Sequence, residues 1–205
     1  MSPSRSGILI VLSAPSGAGK STLINRVRAS GEFVYSVSCT TRPPRVGEKD
    51  GEAYWFLSDA TFQERIRAGH FLEHAVVHGY RYGTPLAFVK ENLAAGRDLL
   101  LDLDVQGAAQ IRACLDAAVQ RGLATVFLTT PTFPELERRL RHRATDSEDT
   151  IQRRLRNASE EMSHWREYDY AILSGTGKQD EHAFRAIVEA ERLRSSRINP
   201  ASIWS

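Results

Sequence analysis

The fold is decided by the stretch Ile8-Leu-Ile-Val-Leu12-Ser-Ala-Pro-Ser-Gly-Ala-Gly-Lys-Ser-Thr22. Its first five residues form a continuous aliphatic run, which is typical of a β-strand covered on both faces. Apolar residues recur at helical spacing from Lys20 to Ala29, so a helix is expected to follow. The turn between them matches G-x-x-x-x-G-K-[ST], except that Ala14 occupies the first glycine position.

This turn has the residue types that bind a phosphate group. Gly17 and Gly19 allow backbone N–H groups to point inward, and the helix N-terminus beyond them favours an anion. Lys20 is suited to neutralise β- and γ-phosphate oxygens, and the Ser21 hydroxyl is a natural Mg²⁺ ligand. The alternative is a glycine-rich connection without a ligand. A phosphate-binding loop alone does not identify a reaction, because kinases, GTPases and motor ATPases share it.

Length and composition indicate one soluble globular domain. The chain has 205 residues, of which 41% are hydrophobic and 25% charged, and its formal net charge is +2. Such a balance argues against a general nucleic-acid or membrane-surface binder, and no apolar run approaches the ~20 residues of a membrane-spanning helix. Cys39 and Cys114 fit no metal-ligand spacing; a disulfide is conceivable, but free thiols are expected. We therefore expect a cytoplasmic protein.

Strand-like and helix-like segments alternate along most of the chain. This alternation predicts an α/β fold with a central parallel sheet flanked by helices. Between about 36 and 90 short strands break the alternation and indicate an inserted subdomain. We also expect a strand at Phe33–Ser38, one helix over Val105–Val119, another from about Thr145 to Glu167, and a loosely ordered tail from 195 to 205.

The loop from Thr41 to Gly51 carries Arg42 and Arg45 on either side of two prolines. Because the prolines stiffen the backbone, both guanidinium groups are suited to hold one anion, and arginine binds phosphate through paired hydrogen bonds. Tyr54 and Tyr82 are further candidate donors to phosphate oxygens. We predict a second phosphate site here, with a solvated basic loop as the alternative.

Three carboxylates lie in or just after apolar strands. Glu73 lies within Phe71-Leu-Glu-His-Ala-Val-Val77, where an unpaired carboxylate is costly. Guanine offers adjacent N1–H and N2–H₂ donors to such a group, whereas adenine offers an acceptor and is rejected. The alternative is that Glu73 alternates outward from a half-buried strand. Asp102 and Asp104 follow the run from Leu99, at the edge where α/β sheets bind ligands, and suit Mg²⁺-bound water or a helix cap.

Four motifs together resemble those of the guanylate kinases. They are S-A-P-S-G-A-G-K-S-T at 13–22, T-T-R-P-P-R-V-G-E at 40–48, Y-R-Y-G-T-P at 80–85 and L-D-L-D-V-Q-G at 101–107. The resemblance covers residues 7 to 194. It implies transfer of the γ-phosphoryl group of Mg-ATP to GMP, giving ADP and GDP, or to dGMP, giving ADP and dGDP, in guanine nucleotide recycling and biosynthesis.

The resemblance also implies a domain organisation. The single domain, 1–205, would have a P-loop NTPase core and a helical lid. The core would comprise 7–35, 91–136 and 158–194, with a mixed α/β GMP-binding subdomain at about 36–90, a lid at about 137–157 and a tail at 195–205.

Carried over position by position, the resemblance gives the motif residues their roles. ATP would be bound by Ala14, Pro15, Ser16, Gly17, Ala18, Gly19, Lys20, Ser21 and Thr22. GMP would be bound by Ser38, Arg42, Arg45, Tyr54, Glu73, Tyr82, Thr84, Asp102 and Asp104. The catalytic residues would be Lys20, Arg42, Arg139, Arg143 and Arg154. The implied cofactor is Mg²⁺, held by Ser21 and, through water, by Asp102. The partners would be the small molecules ATP and GMP, with no nucleic acid and no membrane.

Two segments depart from the family pattern. The lid usually reads G-R-G and here reads His142-Arg143-Ala144, which removes two hinge glycines. The Asn and acidic residues that usually follow the last strand, near the ATP adenine, are replaced by Ser174-Gly-Thr-Gly-Lys178. The departures concern the lid and the donor nucleotide and leave the acceptor site unchanged.

Three other functions fit parts of the sequence. A ribose 1,5-bisphosphate phosphokinase has a related architecture and a P-loop, but Ser38, Glu73 and Tyr82 favour a purine nucleotide. Peptide-binding guanylate-kinase-like domains generally lose the P-loop lysine or the lid arginines, and both are kept here. A nucleic-acid binder could use the arginines crowded between 138 and 156, but the near-neutral charge opposes it. The sequence makes no prediction of oligomeric state.

Overall fold

The computed structural model describes residues 5–142 and 147–199, and its helices and strands are as follows. The strands are β1 (Leu9–Ser13), β2 (Cys39–Thr40), β3 (Trp55–Phe56), β4 (Phe71–Val77), β5 (Tyr80–Pro85), β6 (Leu99–Asp102), β7 (Leu123–Thr129) and β8 (Tyr170–Leu173). The α-helices are α1 (Lys20–Arg28), α2 (Asp59–Arg67), α3 (Leu86–Ala94), α4 (Val105–Arg112), α5 (Ala117–Gly122), α6 (Phe133–Arg141), α7 (Glu148–Ser163) and α8 (Gly177–Arg192).

The core sheet has the strand order β6-β1-β7-β8, and its strands pair in parallel. Leu9 of β1 lies opposite Leu99 on one side and Leu123 on the other. Crossover helices connect the strands, as parallel pairing requires. The α/β fold with a central parallel sheet flanked by helices is therefore confirmed.

Both faces of β1 are buried, as its aliphatic run predicts. Successive side chains point to opposite faces of a strand, so Ile10 packs in a cluster with Phe184 of α8, whereas Val11 packs in a cluster with Ile111 of α4. These two apolar layers hold the central strand between helices. They fix the position of Ser13, where β1 ends and the glycine-rich turn begins.

A second sheet, with the order β3-β2-β5-β4, lies within the segment predicted to be inserted. Strands β4 and β5 form an antiparallel hairpin, with a register shift between Phe71 and Glu73. Helix α2 covers this sheet, and the rings of Phe62 and Phe71 stack with centroids 4.5 Å apart. The sheet supplies a second, separate surface opposite the end of the core strands.

Two expected elements differ in the structure. The strand predicted at Phe33–Ser38 is wrong, because Val34 forms only an isolated bridge with Leu99 within the described chain. The helix predicted over Val105–Val119 is divided into α4 and α5. The division has a local cause, since the Asp116 side chain accepts hydrogen bonds from two N–H groups in the first turn of α5 and so begins a new helix.

The later segments also differ from expectation. Helix α7 begins after Ser147, whose hydroxyl accepts the N–H of Thr150, and it ends at Ser163 rather than near 167. The expected loose order of the tail is wrong up to residue 199, because Arg197 is 2% exposed and pairs with the buried Glu191. Residues 200–205 lie outside the described part. None of the helices in 5–142 and 147–199 combines the length and the apolar content needed to cross a membrane.

Candidate active site

The turn between β1 and α1 requires glycine at two positions. Gly17 and Gly19 have φ angles of 92° and 109°, in the left-handed region that disfavours residues with a β-carbon. A Cβ on Gly17 would also lie 2.9 Å from the side chain of Leu140 on α6. Gly19 directly precedes α1, so the turn leads onto N–H groups that have no acceptor within the helix. This geometry suits a phosphate group.

Ala14 occupies the position at which the motif usually has glycine. It is half-buried, and it packs both against the core and against the apolar cluster formed by α6 and α7. The methyl group therefore fills space between two packed layers. The departure from the motif does not disturb the turn.

Lys20 begins α1 and reaches the end of β6. Its Nζ lies 2.6 Å from Oδ1 of Asp102 and donates to the backbone oxygen of Leu103 at 3.2 Å. Because β1 and β6 are parallel neighbours, their carboxyl ends meet at one edge of the sheet, where α/β proteins bind ligands. Lys20 and Asp102 therefore lie together at the edge of the sheet where ligand binding is predicted.

Ser21 and Asp102 provide a hydroxyl and a carboxylate at this edge, and both residues are exposed. These oxygen ligands fit Mg²⁺, which commonly keeps several waters and binds through one or two protein oxygens together with substrate phosphates. Among the described residues, acidic, histidine and cysteine side chains form no group of three or more that could enclose a metal. The site thus fits a magnesium ion carried largely by a bound nucleotide.

Glu73 is a buried carboxylate in the second sheet. It is 6% exposed, and Thr84 Oγ1 donates to its Oε1 at 2.6 Å. Burial raises the pKa of Glu73 and the charge of Asp104 adds to this, while the hydrogen bond from Thr84 opposes it. The bulge between Phe71 and Glu73 breaks the alternation, so that Leu72 and Glu73 are both buried. The alternative in which Glu73 points outward is therefore wrong.

A cavity lies between the second sheet and the carboxyl edge of the core sheet. Its volume is about 240 Å³, and its lining includes Ser38, Tyr54, Glu73, Tyr82, Asp102 and Asp104. An adjoining cavity of about 300 Å³ shares three of these residues and adds Thr84. All residues predicted to bind GMP, except Arg42 and Arg45, line these two cavities.

Arg42 is held beside the cavity by Glu48 and two aromatic rings. Its guanidinium donates to Oε1 of Glu48 at 2.9 Å and lies over the rings of Tyr54 and Phe56, 5.4 and 5.8 Å from their centroids. The hydrogen bond with Glu48 raises the pKa of Arg42. The second oxygen of Glu48 accepts the backbone N–H of Arg45 at 2.7 Å. Glu48 therefore fixes both arginine positions, while the Arg45 side chain is exposed.

Arg139 connects α6 to the phosphate-binding turn. Its Nη1 donates to Ser174 Oγ at 2.9 Å and to the backbone oxygen of Ala18 at 3.3 Å, and its Nε donates to Glu135 at 2.8 Å. Hydrogen bonds from Arg138 and Arg139 lower the pKa of Glu135 to about 2. The arrangement brings a guanidinium group to the turn and keeps it there.

Comparison with known proteins identifies the family. The family model described as guanylate kinase matches residues 6–190. This chain belongs to the guanylate kinase family. The guanylate kinase of Jannaschia sp. (strain CCS1) is 46% identical over 191 residues, which are 93% of this chain and 86% of that protein. That of Lawsonia intracellularis is 46% identical over 203 residues, which are 98% of this chain and 92% of that protein.

Solved structures agree with membership in the guanylate kinase family. The guanylate kinase from Anaplasma phagocytophilum matches with a TM-score of 0.69 and 31% identity, covering 97% of this chain and 93% of that one. TT1252 from Thermus thermophilus matches with a TM-score of 0.51 and 18% identity, covering 91% and 98%, and shows the fold alone. The resemblance seen in the four sequence motifs is thereby confirmed.

The roles of individual residues within this guanylate kinase fold stay predictions. The structure brings Lys20, Asp102 and Arg139 to the glycine-rich turn, and the predicted GMP ligands other than Arg42 and Arg45 line the two cavities. Arg154 is half-buried on α7, the helix that packs against the turn through Ala18. Arg143 lies outside the described residues.

Sequence reasoning misses three polar residues near the site. Glu48 closes the T-T-R-P-P-R-V-G-E motif, and an acidic residue so close to two arginines is the signal that could have revealed it. Asp180, in the first turn of α8, accepts hydrogen bonds from the loop before that helix. Burial raises the pKa of Glu161 on α7, against the opposing effects of the Ser16 N–H and the charge of Lys20. Nothing in the polar sequence around Glu161 indicates this position.

Proposed function

We propose that this protein transfers the γ-phosphoryl group of Mg-ATP to GMP or dGMP and releases ADP together with GDP or dGDP, respectively. Membership in the guanylate kinase family supports phosphoryl transfer between nucleotides. The observation that carries the choice of acceptor is Glu73, a carboxylate that is buried in the sheet and yet lines the polar cavity.

Glu73 reads the base of the acceptor. Its carboxylate accepts the N1–H and N2–H₂ groups of guanine, while Ser38 and Thr84 supply further polar contacts. Adenine would bring its N1 acceptor to the buried carboxylate, which would then keep the hydrogen bond from Thr84 but gain none of the donors that guanine supplies. Glu73 is buried, and burial raises its pKa. Its ionised form therefore depends on hydrogen bonds from the N1–H and N2–H₂ groups of guanine.

The two phosphate groups meet between two cationic regions. Arg42, Arg45, Tyr54 and Tyr82 hold the GMP phosphate. The triphosphate lies on the turn from Ala14 to Thr22, with Lys20 at its β- and γ-phosphates. Mg²⁺, when bound by Ser21 and through water by Asp102, supplies further neutralisation of the phosphate charge.

The transfer needs no protein nucleophile, because an anionic oxygen of the GMP phosphate attacks directly. Catalysis therefore consists of alignment and compensation of charge. Lys20 and the lid arginines, Arg139, Arg143 and Arg154, stabilise charge on the transferring group. Arg42 and Arg45 offset the repulsion between the two substrates, and closure of the lid excludes water.

We also propose a domain organisation and a cellular location for this protein. The GMP-binding subdomain at about 36–90 corresponds to the second sheet, and the lid at about 137–157 to the end of α6 and the first half of α7, with 143–146 outside the described residues. A cytoplasmic site of action accords with the free thiols of Cys39 and Cys114.

A panel of acceptors tests the proposed function. The purified chain is assayed with ATP and Mg²⁺ against GMP, dGMP, AMP and ribose 1,5-bisphosphate, and ADP formation is followed by a coupled reaction. We expect turnover of GMP and dGMP, and a kcat/KM for AMP at least ~10³-fold lower, because a buried site that needs donors rejects an analogue lacking them strongly. Equal use of AMP, or turnover of the sugar phosphate in place of GMP, would overturn the proposal.

A further inference from the structure

A chain of hydrogen bonds links α8 to the phosphate-binding turn. Asp180 is 5% exposed; its Oδ2 accepts Ser174 Oγ at 2.8 Å, and its Oδ1 accepts the backbone N–H of Gly175 at 2.9 Å. Ser174 is 2% exposed, and its Oγ accepts Nη1 of Arg139 at 2.9 Å. The same Nη1 reaches the backbone oxygen of Ala18 at 3.3 Å. The chain therefore runs from a buried carboxylate to the turn itself.

The loop that carries Ser174 packs directly on the turn and on α1. A Cβ placed on Gly19 would lie 3.7 Å from Ser174 Oγ and 3.9 Å from Asp180 Oδ2. A Cβ placed on Gly177 would lie 3.5 Å from the methyl carbon of Thr22. The serine and the aspartate thus lie in van der Waals range of the residue that precedes α1.

Asp180 determines the direction in which the Ser174 hydroxyl points. A hydroxyl has one proton, and donating it to a carboxylate leaves the oxygen lone pairs for Arg139. Asp180 uses one oxygen for Ser174 and the other for Gly175. An amide at this position could accept at only one of the two atoms, so the arrangement requires a carboxylate.

We propose that Asp180 is a positioning residue, which acts through Ser174 to hold Arg139 at the phosphate end of the ATP site. This inference rests on the proposed function and adds a residue to it. The sequence has no acidic residue from 174 to 178, and the carboxylate comes from the first turn of α8. The acidic residue that Arg139 contacts directly is Glu135, which Arg138 shares. The Nη2 of Arg139 also donates to the backbone oxygens of Ser174 and Gly175 at 3.2 and 3.4 Å, and Asp180 holds this loop through the N–H of Gly175.

Loss of this chain slows phosphoryl transfer and leaves acceptor binding intact. The substitution Asp180→Asn is expected to lower kcat by about 10- to 100-fold, the usual effect of removing a partner that orients a functional group. KM for GMP stays within about twofold of the wild-type value, because Asp180 and Ser174 do not line either acceptor cavity. Ser174→Ala gives the same pattern, whereas Ser174→Thr keeps the hydroxyl and retains most of the rate.

A matched control separates a loss of Arg139 positioning from a loss of stability in α8. Thr176 precedes α8, and its hydroxyl accepts the N–H of Gln179 at 3.3 Å. Thr176→Ala therefore weakens the start of the same helix without removing a member of the Asp180–Ser174–Arg139 chain. We expect it to lower Tm and to leave kcat unchanged.

A double-mutant cycle with Arg139→Ala tests whether Asp180 acts through Arg139. If Asp180 acts through Arg139, then adding Asp180→Asn to Arg139→Ala lowers kcat by less than about twofold, since the two residues are coupled. An equal loss in both backgrounds would overturn the inference, as would a loss of kcat in Thr176→Ala equal to that in Asp180→Asn. A wild-type enzyme inactive with ATP and GMP would overturn the proposed function and this inference with it. An active wild type matched by Asp180→Asn would overturn the inference alone.

Discussion

Two regions of the molecule use carboxylates in opposite ways. One is the cavity lined by Glu73, which we propose binds the acceptor nucleotide; the other is the glycine-rich turn with Lys20 and Arg139, which we propose binds ATP and call the donor end. In the cavity, Glu73 is buried against the hydroxyl of Thr84, and burial raises its pKa. At the donor end, Glu135 is shared between Arg138 and Arg139, and their hydrogen bonds lower its pKa to about 2. A carboxylate that reads a base must keep its oxygens available for the substrate, whereas one that holds arginines is already occupied.

The two ends also differ in how the cations are held. Arg42 is a buried residue enclosed by Glu48 and aromatic rings, so its position is fixed in advance of the role proposed for it at the GMP phosphate. Lys20 pairs with Asp102, whose side chain is 51% exposed, and such an exposed pair contributes little to stability. Phosphate can therefore replace Asp102 as the partner of Lys20 at small cost. We therefore propose that the cavity determines selectivity and that the donor end determines the rate.

The largest expected effect belongs to Lys20. Lys20→Ala removes a positive charge aimed at the transferring phosphoryl group, and we expect kcat to fall by at least ~10²-fold. The control is Lys90→Ala, because Lys90 pairs with Asp116 and lines neither of the two cavities. Steady-state turnover of GMP with ATP measures both variants. A Lys20→Ala variant with a kcat within about threefold of the wild-type value would show that Lys20 does not contribute to phosphoryl transfer. It would also contradict the proposal that the donor end determines the rate.

The next effect tests the selectivity of the cavity. Glu73→Gln replaces the two acceptor oxygens of the carboxylate with an amide, whose NH₂ group would face the N2–H₂ donor of guanine. The charge-assisted hydrogen bonds that the carboxylate would make contribute roughly 1.5–3 kcal/mol. We expect kcat/KM for GMP to fall roughly 10- to 100-fold while KM for ATP is unchanged. Glu64→Gln, at an exposed position on α2, serves as the control. An unaltered preference for GMP over AMP would contradict the role of Glu73.

A smaller effect concerns the shape of the turn. Gly17→Ala places a Cβ 2.9 Å from Leu140 and forces a positive φ on alanine, which costs about 1–2 kcal/mol before the clash is counted. The control, Gly69→Ala, has a positive φ but no atom within 4 Å of the added carbon. We expect Gly17→Ala to raise KM for ATP several-fold and to lower Tm more than the control. Equal losses of Tm with unchanged KM would show that the turn tolerates a side chain.

The smallest effect is the pH dependence of stability. Because the pKa of Glu73 is raised in the folded state above 4.5, Glu73 stabilises the fold fully below its unfolded pKa and loses that contribution as pH rises through the folded pKa. The free energy of unfolding of the wild type relative to Glu73→Gln should therefore decrease from pH 4.5 upward. Urea unfolding at a series of pH values measures this difference. A difference that grows with pH would indicate that a nearby cation lowers the pKa of Glu73 in the folded protein by more than burial raises it.

The core could be predicted because its signals are local. The aliphatic run from Ile8 and the glycine-rich turn predict a buried strand and a phosphate-binding helix start without reference to the rest of the chain. The Asp116 cap is local as well, and the division between α4 and α5 could have been found from it. The family motifs supplied the roles that spacing alone left open.

The remaining features depend on contacts between distant segments. The burial of Glu73 follows from a bulge that exists only when β4 pairs with β5, so strict alternation along β4 gave the wrong alternative. Arg197 is buried because it donates to backbone oxygens of Arg121 and Leu123, which no pattern in the tail reveals. The Asp180–Ser174–Arg139 chain likewise requires α6 and α8 to meet at the turn.

A crystal structure with GMP and a non-hydrolysable ATP analogue would show whether Glu73 binds the guanine base. We expect the guanine N1–H and N2–H₂ groups within hydrogen-bond distance of the Glu73 carboxylate. We also expect the triphosphate on the turn from Ala14 to Thr22, with Lys20 at its outer phosphates. A guanine bound elsewhere, or a Glu73 side chain directed away from the base, would show that Glu73 does not select the acceptor.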